Sequence, residues 1–130
     1  MTSGARARRH RRGSEGGAVT AELALTLPML VAVTIGLVWL LSVGAAQVRV
    51  VDAARETARA VARGDSAAEA VARGRQVAPP GSTVTVSTQD GRVVAIASGQ
   101  VRGPGGLFGF LPGVEVRAEA VTLAEDEVGR

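Results

Sequence analysis

Residues 23–46 read LALTLPMLVAVTIGLVWLLSVGAA and contain no charged side chain. A helix of about 20 apolar residues is long enough to cross the hydrocarbon core of a bilayer. The apolar part of a secretory signal peptide is shorter, about 7–15 residues. The stretch therefore predicts a transmembrane helix, which we place at residues 18–46. Pro28 removes one helical hydrogen bond and predicts a kink near the N-terminal end of this helix.

The charges on the two sides of this helix differ. The chain has 15 basic residues, all arginine, and five of them with one glutamate give residues 1–17 a charge of +4. The other ten arginines and eleven acidic residues leave a charge of −1 on the remainder. Because a basic flank is retained in the cytoplasm, we predict a cytoplasmic leader, one span of the cell membrane, and a C-terminal part outside. A basic arm can also bind phosphates, but the apolar run that follows favours the lipid bilayer and argues against nucleic acid.

The helical pattern continues beyond the span. Residues 47–63 contain strong helix formers and neither glycine nor proline. Their apolar positions recur at helical spacing, at Val50, Ala54, Ala58 and Val61. Gly64 predicts a C-terminal cap, and Ser66 with Glu69 predicts a capping box that starts a second, short helix. We therefore predict an extracytoplasmic helical region over residues 47–78.

Residues 79–124 predict a small β domain. Two runs rich in β-branched residues, at 83–88 and 92–97, flank Asp90 and Gly91, a pair that favours a two-residue hairpin turn. Residues 114–123 alternate apolar and polar side chains, as a half-buried strand does. The long helix followed by an antiparallel sheet of about three strands predicts an α+β fold.

The connection before the last strand, residues 103–113, reads GPGGLFGFLPG. It lacks the lysine of a phosphate-binding loop, so we predict a turn-rich connector. Leu107, Phe108 and Phe110 in this connector are expected to cap the sheet or to contact a partner subunit. Residues 125–130 predict an acidic tail.

The sequence contains no recognisable catalytic constellation. The chain has no cysteine, and its one histidine, His10, lies in the basic leader. Serine hydroxyls are present without a base to activate them, and thiolate chemistry is excluded. We therefore predict a protein that is not an enzyme and has no metal site and no cofactor.

Glu22 is an acidic side chain at the beginning of the apolar run, a position that is costly unless the carboxylate is interfacial or paired. The order of basic leader, Gly17, four residues, Glu22 and long apolar helix resembles the N-terminus of type IV prepilins and pseudopilins. In that family a prepilin peptidase cuts after the glycine, which implies cleavage between Gly17 and Ala18. The resemblance also implies that Glu22 pairs with the new α-amino group of a neighbouring subunit.

Residues 21–28, AELALTLP, look like the corresponding part of the TadE group, and residues 52–65 look like actinobacterial TadE-like proteins. The resemblance implies a minor pilin or pseudopilin of a Tad-type type IV pilus assembly or secretion apparatus. Its implied partners are the prepilin peptidase, other Tad pilins and pseudopilins packed through the apolar helix, and the inner-membrane assembly platform. The implied location is the cell membrane or a surface pilus.

Two other functions stay open. Val43, Gly44 and Ala45 include the small residues that signal peptidase requires, and cleavage after Ala45 would release a secreted domain. Alternatively, the chain stays uncleaved as a single-pass membrane anchor whose outer domain binds a partner. The N-terminal residue of the mature protein distinguishes the three possibilities.

Overall fold

The computed structural model describes residues 4–125, with all their side chains except those of residues 4–12 and 107. The leader arginines and the predicted acidic tail beyond Glu125 therefore lie outside the described side chains. The elements in chain order are helix α1 (Gly4–Ala62), helix α2 (Ala67–Val77) and strands β1 (Thr83–Gln89), β2 (Arg92–Val101) and β3 (Val114–Leu123). The predicted α+β fold is confirmed. The chain divides into two compact units, Met1–Val38 and Trp39–Arg130.

The first unit contains the N-terminal part of α1. None of the side chains described between residues 13 and 38 is buried, although most of them are apolar. The helical stretch Gly13–Ala62 is long and apolar enough to cross a membrane, judged by its length and composition. An exposed apolar surface of this extent needs a nonaqueous environment or a partner.

Three threonine hydroxyls in this unit are satisfied within the helix. Thr20, Thr26 and Thr34 each donate a hydrogen bond to the carbonyl oxygen four residues earlier, at 2.9, 2.7 and 2.8 Å. Threonine commonly forms this bond in helices. Because lipid offers no partner to a polar group, such internal bonds make the threonines compatible with a membrane segment.

The second unit has the remainder of α1 as one layer of its core. The buried stripe of α1 that faces the sheet consists of four alanines and one valine, namely Ala46, Val50, Ala53, Ala54 and Ala58. It packs against the inner face of the sheet, on Val84, Val93, Ala95, Ala97 and Val116. The helical spacing had predicted Val50, Ala54 and Ala58 on one apolar face, and this prediction is confirmed.

Both predicted caps between the helices are present. Gly64 has φ 97°, and the N–H of Asp65 donates to the carbonyl of Ala60 at 3.0 Å. This is the Schellman arrangement, which a glycine at the left-handed position allows. At the start of α2 the Ser66 side chain accepts from the N–H of Glu69, and the Glu69 carboxylate accepts from the N–H of Ser66.

The sheet is antiparallel with the strand order β1-β2-β3. Its first turn is the predicted two-residue hairpin, with φ 50° at Asp90 and φ 70° at Gly91. Positive φ at both positions is the type I′ geometry that matches the twist of the strands. Strand β2 runs to Val101, beyond the β-rich run seen in the sequence, because β3 pairs along its whole length from Arg92 to Val101.

Helix α2 crosses α1 at a contact between small residues. Ala70 and Gly74 are the buried residues of α2. On α1, the Thr57 hydroxyl donates to the carbonyl of Ala53 at 2.8 Å, and its oxygen lies 3.5 Å from the carbonyl oxygen of Ala70 on α2. A Cβ atom at Gly74 would overlap the Thr57 hydroxyl and would lie 3.2 Å from the carbonyl oxygen of Ala53. The two helices can therefore approach this closely only with glycine at position 74.

We expect Gly74→Ala to lower the free energy of unfolding of the second unit by about 1–3 kcal/mol, the usual cost of overpacking a core. Adding Thr57→Ala should recover part of this loss, because the overlapping hydroxyl is then absent. The measurement is denaturant unfolding in detergent, followed by the fluorescence of Trp39, the only tryptophan. The comparison is between Gly74→Ala in the wild-type chain and Gly74→Ala in the Thr57→Ala chain. If both pairs lose the same free energy of unfolding, the predicted contact is wrong.

Candidate functional site

The residues predicted to act in processing and assembly all lie on α1 within the first unit. Gly17, Ala18, Glu22 and Pro28 are exposed. They form a linear site along one helix, with no enclosing wall. Ala18 and Glu22 are four residues apart, so they occupy the same face of the helix one turn from each other.

The Glu22 side chain is exposed, and only its main-chain carbonyl is engaged by a neighbouring side chain, the Thr26 hydroxyl at 2.7 Å. Among the side chains at 13–106 and 108–125, none forms an ion pair with its carboxylate. An ionised carboxylate at the beginning of an apolar helix is costly unless it stays wet or finds a cation. The carboxylate is therefore open to a cation supplied by another chain.

Two further glycines, Gly13 and Gly16, lie within the four residues before Gly17 in the same helix. A Cβ atom at any of the three positions would meet nothing within 4 Å, so packing within the chain does not require glycine here. Each glycine lowers helix stability by about 1 kcal/mol relative to alanine. The turn before Ala18 is therefore a weak part of α1.

Pro28 lies inside α1, which continues through it. Because proline has no N–H, the carbonyl of Ala24 loses its usual helical donor. The kink expected at this position stays a prediction.

Two polar side chains that the sequence analysis missed attach α1 to strand β3 and to the loop after β2 in the second unit. The indole Nε1–H of Trp39 donates to the carbonyl of Arg102 at 2.9 Å, and Nε2 of Gln47 donates to the carbonyl of Arg117 at 3.0 Å. Val43, between them, packs against the core. A tryptophan within an apolar run suggests an interfacial position, but no local pattern identifies acceptors 63 and 70 residues away.

The described residues contain no group of three or more His, Cys, Asp and Glu side chains able to hold a metal ion. One depression among them is open and polar, and its lining includes Ser98, Gly99, Gln100, Arg102 and Glu115 at the end of the sheet. In this depression a serine has no histidine beside it, so it lacks the usual base of a nucleophilic site.

Residues 17–59 match the family model described as TadE-like protein. The match begins at Gly17, includes Glu22 and Pro28, and ends within α1, so α2 and the sheet lie outside it. No curated protein and no solved structure matches the chain significantly.

The TadE-like family is a structural family of pilin type. The match suggests a pilin-like protein of the Tad system, and a relationship of this kind suggests interaction with other pilus components. The apolar helix near the N-terminus fits a single-pass membrane anchor. The resemblance found in the sequence is confirmed: residues 17–59 carry a TadE-like domain, consistent with a member of the TadE-like family.

Proposed function

We propose that the chain is a minor pilin or pseudopilin of a Tad-type type IV pilus assembly or secretion apparatus. In this role it is a structural subunit, processed by a prepilin peptidase and not itself an enzyme. The observation that carries the proposal is the position of Gly17, Ala18 and Glu22 at the start of an exposed apolar helix, inside the TadE-like match.

In this proposal α1 is the membrane anchor, with its N-terminus in the cytoplasm and the sheet outside. The charge of +4 on residues 1–17 supports this orientation. At about 1.5 Å per residue, a helix over residues 18–38 is roughly 30 Å long, about the thickness of the hydrocarbon core. The sequence places the end of the span at residue 46. Because Val43 and Ala46 pack in the core of the second unit, we propose that the lipid-embedded part ends near residue 38.

The peptidase cuts between Gly17 and Ala18. A peptide bond in an α-helix must leave the helical conformation to become accessible to a protease. The glycines at positions 13, 16 and 17 reduce the free energy needed to unwind this turn. Cleavage removes the basic leader and leaves a free α-amino group on Ala18.

We propose that this ammonium group pairs with Glu22 of a neighbouring subunit. In a bundle of apolar helices, an unpaired charge is expensive to desolvate, and a partner of opposite sign offsets that cost. Because Ala18 and Glu22 are only one turn apart, a pair between two chains allows one axial offset of neighbouring helices. The pair would therefore set the register of the assembled fibre as well as stabilise it.

Replacing Gly17 with valine is expected to block processing, because the peptidase must accommodate the side chain that precedes the cut. Gly13→Val is the matched control, since a Cβ atom at position 13 also meets nothing within 4 Å, and it should be processed normally. The readout is the electrophoretic mobility of the membrane-bound chain, which increases when residues 1–17 are removed. Complete processing of the Gly17→Val variant would show that the cut lies elsewhere.

Glu22→Gln is expected to leave membrane insertion and cleavage intact and to lower incorporation into the pilus at least tenfold. Removing one partner of a buried charge pair costs about 3–5 kcal/mol, which is more than a tenfold loss requires. Glu15→Gln is the matched control, because Glu15 leaves with the leader. Quantitative immunoblots of sheared pili measure the incorporation. A wild-type amount of the Glu22→Gln subunit would remove the pairing role.

The structure weighs against release as a secreted domain. A cut after Ala45 would separate Trp39 and Val43 from the sheet, so the hydrogen bond to Arg102 and the packing of Val43 would both be lost. An uncleaved anchor keeps the same membrane placement and differs only in retaining the leader, which the mobility assay detects.

A further inference from the structure

We infer that the loop between β2 and β3, residues 102–113, inserts its exposed aromatic side chain into the outer surface of the membrane that α1 crosses. The inference rests on the proposed membrane anchorage of α1. It concerns a surface that lies outside the TadE-like match at residues 17–59. Neither that match nor the proposed pairing of Glu22 gives this loop a role.

The loop holds an aromatic side chain out of the protein. Phe110 is 78% exposed, whereas Phe108 and Leu111 are half-buried. A short 3₁₀ turn, Gly106–Phe108, is followed by a hydrogen bond from the N–H of Leu111 to the carbonyl of Phe108 at 2.9 Å. Phe110 is therefore exposed on a loop that has its own hydrogen bonds.

The loop is also free of charge. No Asp, Glu, Arg, Lys or His occurs between Arg102 and Glu115. A charged side chain would oppose insertion among lipid acyl chains, and its absence over this length removes that obstacle. Arg102 itself is exposed at the beginning of the loop, where a long basic side chain can extend to the level of the lipid phosphates.

Trp39 determines where the loop lies along α1. Its indole N–H donates to the carbonyl of Arg102, the first residue of the loop. The next two residues of α1, Leu40 and Leu41, are 61% and 74% exposed. Apolar side chains of the helix and of the loop therefore share one end of the second unit, around a tryptophan. Tryptophan is enriched at the boundary between membrane and water.

The other exposed apolar side chains of the sheet have different surroundings. Val121 and Leu123, on the outer face of β3, are 58% and 61% exposed. Leu123 pairs across the sheet with Arg92, and Glu119 is on the same face. Charged neighbours of this kind make that face unsuitable for lipid. The loop at the Trp39 end combines exposed apolar groups with a long charge-free stretch.

We infer that the loop contacts a membrane, and not a second subunit, because Trp39 links the loop to α1, the helix proposed to cross the membrane. If α1 crosses the bilayer up to about residue 38, the next residue in the chain is Trp39, whose indole bonds to the first residue of the loop within each single chain, before any assembly. Insertion of Phe110 then gives the outer unit a second attachment beside the helix. Two attachments restrict how far the unit can tilt on the membrane.

The test uses spin labels on the full chain, which contains no cysteine of its own. Phe110→Cys, Leu30→Cys and Thr88→Cys are labelled separately with a nitroxide in vesicles of phosphatidylcholine and phosphatidylglycerol. Because all three side chains are exposed, the substitutions remove no core contact. Leu30 reports on the anchor, and Thr88, beside the hairpin turn, serves as the water-exposed control. Collisions with oxygen, which concentrates in lipid, and with a water-soluble nickel chelate give the depth of each label.

We expect a several-fold higher ratio of oxygen to nickel collisions at positions 110 and 30 than at position 88. Nickel access at position 110 with protection at position 30 would overturn the loop inference while the anchor stands. Nickel access at position 30 would instead overturn the proposed membrane anchorage, and the loop inference with it. Protection of position 110 from both reagents would mean that another protein surface covers the loop, which also overturns the inference.

Discussion

The packing of α1 against the inner face of the sheet is the contact on which the rest of the structure depends. A three-stranded sheet needs a second layer to bury its apolar face. Here that layer is the C-terminal half of the same helix whose N-terminal half is exposed and apolar. Residues from Ala46 to Ala58 bury small side chains against an alanine-rich sheet. One helix, α1, therefore contributes residues to both units.

Small side chains limit how much this core can contribute. Alanine buries little area, and the apolar contribution to stability scales with the area removed from water. The remaining stability has to come from the close approach of the two helices and from caps and turns with favourable geometry. The crossing of α2 over α1 at Gly74, the Schellman motif at Gly64 and the type I′ turn at Asp90 are of this kind. At each of these positions the conformation that the local sequence prefers is also the one that the fold requires. Such consistency helps a sequence to specify one structure.

The sequence predicted those parts of the fold that depend on neighbouring residues. The caps at Gly64 and Ser66 and the turn at Asp90 have local signatures, and all three are confirmed. The contacts that were missed join distant parts of the chain. Nothing near Trp39 identifies the carbonyl of Arg102 as its acceptor, and Gly74 looks like an ordinary weak point of a helix until Thr57 is placed beside it.

For the candidate site, the family resemblance is confirmed, whereas the roles of individual residues are not tested. The resemblance of residues 21–28 and 52–65 to TadE-like proteins is confirmed by the TadE-like match over residues 17–59. Cleavage and pairing involve a peptidase and a second subunit, so these roles of Gly17, Ala18 and Glu22 stay predictions. What the structure adds is that the carboxylate of Glu22 is exposed and that a Cβ atom at position 13, 16 or 17 would meet nothing within 4 Å. It also adds that Trp39 belongs to the second unit, Trp39–Arg130.

The central claim is that the mature subunit begins immediately after Gly17, and the N-terminal residue of the membrane-extracted protein tests it most directly. Mass spectrometry of the terminal peptide, from cells that contain a prepilin peptidase, identifies this residue. The account predicts Ala18 as the first residue. A chain that begins at Met1 or Thr2 would contradict processing and leave a plain membrane anchor, and a chain that begins at Ala46 would contradict the anchor as well.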